Sequence, residues 1–576
     1  MMEEIKMLPY GISDFEDLRT KNRYYADKTK YIPLLERAGD FLFLIRPRRF
    51  GKSIFLSMLR CYYDTAMQGK FDTLFDGLWI KDNPTRLKGK YQIMYFDFSQ
   101  VVSRYDNLIT EFNKYCSNQL IWFAKRNAAY YDSGFYEDVV SKAPDSIDQL
   151  RYICSAAKSK GISLYLIIDE YDNFTNDVLN EQGETVYHAL THATGFYRDV
   201  FKIYKANFQK ILFMGISPVT LDDLTSGFNI ATNISTDPRF NMMLGFSETE
   251  VREMISYYKE AGMIKADMEE MIEEMKPWYD NYCFARSSLK TDPKMFNSDM
   301  VIYYLRNHVD FGCAPEQMLD TNTRTDYKKL KRLMQLDGMG DEQRSIIQQI
   351  AAERKFVSNI NTSFPAERIF DQDNFVSLLY YYGMLTIIGT ELDSLVLGVP
   401  NNNVLKQYYE YILTEYKLTS GINTQKLGSA FRAMATLGDY NTALTMITEG
   451  YKKVSSNRNT IEGERNFQGF LMAYLSLTAL YLTVPEMEMN HGYCDIFLMP
   501  DKKNYPGVKH SYILELKYLK AGDSEEEARK QWNEGIEQVR RYAADQKVEL
   551  MTRDTELHLL VMQVRVCELM RLEEVY

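Results

Sequence analysis

Phe41-Leu42-Phe43-Leu44-Ile45-Arg46-Pro47-Arg48-Arg49-Phe50-Gly51-Lys52-Ser53 is the stretch on which the fold turns. An apolar run suited to a buried strand breaks into a tight loop. The loop ends in Gly51-Lys52-Ser53 and opens a helix at Ile54-Phe55-Leu56-Ser57-Met58-Leu59. This is the layout of a phosphate-binding loop. Backbone N–H groups and the positive helix end face the phosphates, Lys52 reaches the β/γ oxygens, and the Ser53 hydroxyl ligates Mg²⁺. The usual motif has a glycine five residues before Gly51, where this chain has Arg46. On this stretch alone, a chance Gly-Lys-Ser after a strand stays open.

Leu164-Tyr165-Leu166-Ile167-Ile168-Asp169-Glu170 supplies the second half of the argument. Such a run reads as a central parallel strand buried on both faces. Its two carboxylates stand at the carboxyl end, where open α/β sheets place ligands. Asp169 would hold Mg²⁺ through its water shell, and Glu170 would polarise the attacking water. An acidic turn that merely ends a strand is the alternative, and the upstream Gly-Lys-Ser loop favours a nucleotide. Two more strands are expected, Gln92-Ile93-Met94-Tyr95-Phe96-Asp97-Phe98 and Lys210-Ile211-Leu212-Phe213-Met214-Gly215-Ile216-Ser217. A polar residue ending the last one can sense the γ-phosphate in AAA-like NTPases. Ser217 is the candidate, although a plain strand-ending Ser before Pro218 fits equally. Asp172 reads as a loop cap rather than a third ligand.

The C-terminal part carries a second chemistry. Gly492-Tyr493-Cys494-Asp495-Ile496-Phe497-Leu498-Met499 reads as a strand, followed by a polar loop and a second strand, Ser511-Tyr512-Ile513-Leu514-Glu515-Leu516-Lys517. Residues two apart share a face, so Glu515 and Lys517 point one way while Leu514 and Leu516 enter the core. In the obvious hairpin register Asp495 meets Glu515. Two convergent carboxylates make a hard oxygen site for Mg²⁺ or Mn²⁺. Lys517 can orient a water or offset charge on a phosphorane-like transition state. A salt-bridged strand surface remains the alternative.

Length and composition bound the rest. A chain of 576 residues with 45% hydrophobic and 26% charged content holds several ordinary globular domains. Its seven cysteines are odd in number, scattered and free of C-x-x-C pairs, which speaks against a disulfide framework or zinc ribbon. Met1-Met2-Glu3-Glu4 lacks the basic start of a signal peptide, and apolar stretches such as 470–484 are too interrupted to span a membrane. The expectation is a soluble, cytoplasmic chain. A net charge of −11 tells against a broadly basic nucleic-acid surface, though not against a local one. The best local cluster, Lys328-Lys329-Leu330-Lys331-Arg332, suits a solvated helix face. The histidines are expected to form no cluster. His188 and His192, four apart without an intervening Glu in the H-E-x-x-H sense, read as surface or packing residues. No arginine finger stands out among Arg198, Arg239 and others.

A helical insertion is expected at 105–160, with its tyrosines used for packing. Ser247-x-x-Glu250 is a capping box that opens a helical segment. Phe375 to Tyr382 reads as a helix stopped by Gly383, followed by a short hairpin and a further helix from Asn403, the outline of a winged-helix module. Few basic residues in the hairpin favour contact with a protein, another copy or a different chain, over DNA. Ser455-Ser456-Asn457-Arg458-Asn459-Thr460 reads as a polar linker to the last domain.

At this point the chain resembles the bacterial AAA-ATPase-like proteins that carry a C-terminal PD-(D/E)XK nuclease-superfamily domain. The matching residues are Leu8-Pro9-Tyr10-Gly11-Ile12, Tyr25-Ala26-Asp27-Lys28-Thr29, the loop Arg46-Pro47-Arg48-Arg49-Phe50-Gly51-Lys52-Ser53, Gly215-Ile216-Ser217-Pro218, Thr225-Ser226-Gly227-Phe228-Asn229-Ile230, Leu244-Gly245-Phe246-Ser247-Glu248-Thr249-Glu250-Val251 and Trp278-Tyr279-Asp280-Asn281-Tyr282-Cys283-Phe284. Within that family Arg46 is no anomaly, and Arg49 and Phe50 belong to the phosphate loop. The resemblance implies an α/β protein in four parts. These are an AAA-like ATPase domain at 1–245, a helical lid at 246–320, a helical, winged-helix-like region at 321–455 and a nuclease-like domain at 456–576. It implies ATP and Mg²⁺ as cofactors and Asp495, Glu515 and Lys517 as the catalytic set. Glu464 resembles the family's helical acidic residue and Gln538 its helical glutamine, while Cys494 replaces the residue before the Asp. Two readings stay open. One is an ATPase controlling a metal-dependent DNase, with foreign DNA as one target. The other is a nucleotide switch whose C-terminal domain binds without cutting.

Overall fold

The computed structural model describes residues 4–576 except 102–107, 183–185, 188–195, 220–230, 292–293, 320–339, 418, 458–462, 490–491 and 503. The segments 225–230 and 328–332, together with His188 and His192, therefore lie outside the described residues. The chain divides into two compact units, Met1–Gly338 with Val357–Asn401, and Met339–Phe356 with Asn402–Tyr576.

The first unit is built on β1 (Phe41–Ile45), α1 (Lys52–Tyr63), β2 (Gln92–Asp97), β3 (Leu164–Asp169), β4 (Lys210–Gly215) and the two-residue β5 (Thr232–Asn233). All pairings are parallel and the strand order is β2-β3-β4-β1-β5. Every residue of β3 and β4 is buried, as the near-continuous apolar runs require in a parallel sheet covered on both faces. The order sets β4 between the two phosphate-motif strands. Helices Leu108–Asn127, Phe135–Ser141 and Ser146–Ser159 fill the expected insertion between β2 and β3. Its tyrosines serve packing and hydrogen bonding, as where the Tyr131 hydroxyl donates to Gln92 Oε1 at 2.6 Å.

Three helices follow in the same unit, α2 (Glu248–Glu260), α3 (Met268–Tyr279) and α4 (Ser298–Phe311). The capping box opening α2 forms as expected, with Ser247 Oγ accepting from Glu250 N and the Glu250 carboxylate accepting from Ser247 N. Next come α5 (Gln372–Tyr381), β6 (Thr386–Glu391) and β7 (Ser394–Gly398), the last two paired antiparallel. The following helix, Asn402–Tyr416, belongs to the other unit. The helix–hairpin–helix expected as one module is thus divided between Asn401 and Asn402.

The second unit gathers helices Asp341–Glu353, Asn402–Tyr416, Thr424–Leu437 and Tyr440–Asn457 with α6 (Glu464–Leu475), β8 (Tyr481–Met489), β9 (Gly492–Pro500), β10 (His510–Leu519), α7 (Glu525–Ala543), β11 (Glu556–Arg565) and β12 (Glu568–Glu574). Ser455–Asn457, expected in a linker, instead complete the helix Tyr440–Asn457. The sheet runs β12-β11-β10-β9-β8. Only β10 and β11 pair parallel, which requires a crossover, and α7 provides it. Among the described residues, no helix is long and apolar enough to cross a membrane.

Candidate active sites

The phosphate loop of the first unit is fixed from three sides. Gly51 adopts φ +83°, the left-handed conformation that lets the chain turn into α1 without a Cβ clash. Arg46 points inward rather than toward a ligand. Its guanidinium donates to the carbonyls of Ile45 (3.0 Å), Ser235 (2.5 Å) and Phe240 (3.0 Å), and its Cζ lies 4.3 Å from the centre of the Phe284 ring. Burial pulls its pKa down to about 10. Phe50 is likewise an anchor, edge-on to Tyr282 and Phe284 with ring centres 4.9 and 5.5 Å away. Arg49 ion-pairs with Asp299 of α4 at 2.5 Å, and its carbonyl accepts from Ser298 Oγ at 3.0 Å.

Lys52 Nζ donates to the carbonyls of Arg46 (3.1 Å) and Pro47 (3.0 Å). It is buried, which lowers its pKa, and among the described residues no carboxylate lies within ion-pair distance of it. A desolvated ammonium held only by carbonyls suits an incoming anion. Ser53 Oγ donates to Asp169 Oδ2 at 2.5 Å, bringing together the two groups expected to share Mg²⁺. Burial raises Asp169 to about 6, against the pull of the Ser53 hydrogen bond. Glu170 follows with a left-handed φ of +51°, and its carboxylate lies 3.8 Å from Arg48.

These groups line one wall of a cavity of about 620 Å³, within the range of small-molecule sites. Arg48, Arg49, Phe50, Gly51, Lys52, Ser53, Asp169 and Glu170 all reach it. The opposite walls are apolar, including Ile12, Tyr25, Leu244, Phe246, Met254 and Ile302. A polar phosphate end beside an apolar pocket suits a nucleotide. Sequence reasoning gave no role to the N-terminal segment, to Asp97 or to the helix start Ser298-Asp299, all of which line the cavity. Asp97 had a readable signal, because it ends the parallel strand whose register sets it beside Asp169. The N-terminal wall matched the family's opening segment but carried no sign of a place at the cavity, since its closure depends on tertiary packing.

Ser217 is placed differently from a γ-phosphate sensor. It is fully buried outside the cavity lining, and its hydroxyl accepts from Val219 N at 3.3 Å. Asp172 explains this, because its carboxylate accepts from the backbone N–H groups of Ile216 (3.2 Å) and Ser217 (2.6 Å) and clamps the strand end. Burial lifts Asp172 to about 6.

In the second unit, the β9/β10 register pairs Ile496 with Leu514, which sets Asp495 opposite Glu515. Asp495 Oδ2 accepts from Leu516 N at 2.7 Å, and Lys517 Nζ pairs with Glu515 Oε1 at 2.9 Å. Burial first, then the adjacent Glu515, pushes Asp495 up to about 7, with Glu464 a further negative neighbour. Burial raises Glu515 as well. Glu515 Oε2 and Gln538 Oε1 are buried without a hydrogen-bond partner. Orphaned acceptors beside paired acids fit a hard divalent cation. Glu464 opens α6 at an exposed position, and Gly463 N donates to the Tyr518 hydroxyl at 2.9 Å, tying that helix start to β10. The hairpin brings Asp495, Glu515 and Lys517 together, Glu464 is a negative neighbour of Asp495, and α7, which carries Gln538, packs on Lys517 at Gly535. Gly535 of α7 permits the approach, since a Cβ there would stand 2.9 Å from Val561 Cγ1 and 3.2 Å from Lys517 Cε.

One expectation fails outright. The histidines do cluster, with His510 Nδ1 and His558 Nε2 only 2.9 Å apart. Parallel pairing of β10 with β11 brings together residues 48 apart in sequence, a contact that no local spacing announces.

Residues 9–225 match the family model described as a predicted AAA-ATPase, and residues 462–574 match that of the PD-(D/E)XK nuclease superfamily. A protein of Azotobacter chroococcum mcd 1, described as an uncharacterized protein in the vnfD 5' region, is 26% identical over 285 residues, 48% of this chain and 48% of that protein. The chain thus matches about half the length of this curated relative. The Aeropyrum pernix ORC2 protein, solved as ADPNP–ADP complexes, overlaps 72% of this chain and 96% of its own at 10% identity. The TM-score is 0.24, too slight an overlap to bear on fold or function. The chain carries a predicted AAA-ATPase domain and, at its C-terminus, a PD-(D/E)XK nuclease superfamily domain.

Proposed function

We propose that the chain binds and hydrolyses ATP in the first unit and cleaves DNA with a divalent cation in the second. The observation that carries the first half is the buried Lys52 ammonium beside the Ser53–Asp169 pair. Lys52 and the α1 N-terminus bind the phosphates, Ser53 and Asp169 hold Mg²⁺, and Glu170 orients the attacking water. Arg48 sits near enough to Glu170 to steady that carboxylate in the free protein. Glu170→Gln is expected to keep ATP binding and to lose hydrolysis at least 100-fold. Unchanged turnover would remove Glu170 from the reaction.

The second half rests on Asp495 and Glu515 facing each other, with Glu515 Oε2 buried and without a hydrogen-bond partner. A cation held there supplies Lewis acidity and a more acidic water. Lys517 orients the nucleophile and offsets charge at the phosphate, while Glu464 and Gln538 complete the polar rim. Cleavage of circular and linear DNA, assayed with Mg²⁺ or Mn²⁺ and with or without ATP, tests this. Asp495→Ala should abolish cutting, and equal cutting by both proteins would assign it elsewhere. Binding without cleavage in wild type would favour the silent binding module. The hairpin β6–β7 exposes Ile388 and Leu392 and carries no Lys or Arg, which supports a protein partner there over DNA.

A further inference from the structure

On the face of the second sheet opposite Glu515, His510, Glu556 and His558 converge. His510 opens β10, and its parallel neighbour in β11 is Glu556, with His558 two residues on and on the same face. Their nearest ligand atoms all lie within 4.8 Å of one another, with His510 Nδ1 2.9 Å from His558 Nε2 and 3.4 Å from Glu556 Oε2. Ligands about 2.0–2.1 Å from a tetrahedral zinc stand roughly 3.3 Å apart, so these separations bracket the requirement.

The surroundings favour a cation at that point. His558 Nδ1 is 2.8 Å from Glu574 Oε1, and the Thr436 backbone bonds the His510 ring. The Glu574 carboxylate thus favours the proton of His558 on Nδ1, which turns the Nε2 lone pair toward His510. A cation between the rings would take the lone pairs of both inner nitrogens, in place of the hydrogen bond that they otherwise share. Carboxylate–histidine pairs of this kind orient metal-bound imidazoles. The rings are also held in place. Tyr512 stacks on His558 with centres 4.9 Å apart and planes 17° from parallel, and Gly438, which ends the helix Thr424–Leu437, lies against His510.

We infer that His510, Glu556 and His558 form a binding site for a borderline divalent cation, Zn²⁺ above all, with a water completing the shell. Two imidazoles and one carboxylate select zinc-like ions over the Mg²⁺ that the two-carboxylate site prefers. The site lies about 16 Å along β10 from Glu515, at the strand's rise per residue, and on the other face. Its ion fastens the beginnings of β10 and β11 rather than taking part in phosphodiester chemistry.

Zinc binding by the full-length chain in the Asp495→Ala background, which removes the carboxylate site, decides the matter. Competition against a chromophoric chelator should give one tight equivalent, weakened at least 100-fold by His558→Gln or His510→Gln and about tenfold by Glu556→Gln. Co²⁺ should develop visible d–d bands that Zn²⁺ displaces, and Zn²⁺ should raise the Tm by several degrees only where both histidines are present. Absence of the bands in the folded parent protein, or the same zinc stoichiometry in the His510→Gln/His558→Gln double variant, would overturn the assignment and leave a hydrogen-bonded relay.

Discussion

Ser53 Oγ donates to Asp169 Oδ2 at 2.5 Å, closing a link across 116 residues between the phosphate loop and the acidic strand end. In the function proposed above, the two groups act as a single Mg²⁺-binding element. Ser53→Ala should therefore reduce ATP affinity in Mg²⁺ to the level measured in a chelator, while Lys52→Ala should weaken ATP at least 100-fold in either condition. A fluorescent ATP analogue titrated with and without Mg²⁺ separates the two effects. Unchanged affinity in the Lys52 variant would refute the site.

Arg46 occupies the place of the usual first glycine, yet it is a structural cation held by three carbonyls and an aromatic face. Restoring the common motif with Arg46→Gly should not improve binding. It should orphan those carbonyls and open a void, costing about 3–5 kcal/mol. A fall in Tm on the order of 10 °C is expected in thermal melts. Tighter ATP binding with an unaltered Tm would contradict the role assigned to Arg46.

Asp495 gives a pH signature. Its folded pKa of about 7 exceeds the ordinary 3.8, so the folded chain binds the proton more tightly than the unfolded one. This contribution to stability is fully present below about pH 4 and is lost as pH rises through 7. In metal-free buffer at pH 8, Asp495→Asn should be more stable than wild type by roughly 1–3 kcal/mol. Added Mg²⁺ or Mn²⁺ should stabilise wild type and not the variant. Identical melting curves across this range would show that the carboxylate is not so perturbed.

Gly535→Ala tests the approach of α7. A helical Gly→Ala change ordinarily stabilises by about 0.5–1 kcal/mol. Here the new methyl would meet Val561 and the Lys517 stem, so a loss of about 1–3 kcal/mol is expected. Any DNA cleavage should fall with it, because Lys517 is displaced. A stabilised variant with full cleavage would mean that the helix has room to spare.

The sequence made both candidate-site strands readable because their signals are local. The apolar run ending in Asp169-Glu170 and the alternation around Glu515 and Lys517 state their burial and facing directly. The hairpin register followed from the same alternation, since a one-residue slip would have turned Glu515 toward the wrong face. Ser217 was less legible, because its placement depends on Asp172 reaching across from the end of β3. The histidine pair was invisible for a similar reason. Parallel strands joined through α7 bring His510 and His558 together only after the sheet has formed. Ser455–Asn457 looked like a linker by composition, yet the helix Tyr440–Asn457 runs on through them despite their weak propensity.

The Arg49–Asp299 ion pair means that a triphosphate arriving at the loop meets a rival anion already seated. Arg49 can greet the newcomer fully only by loosening its hold on α4, the helix whose first turn holds Asp299. Loading and unloading of the cavity would then tug on α4 at Ser298 and Asp299, so that the grip of the loop and the posture of that helix answer to each other.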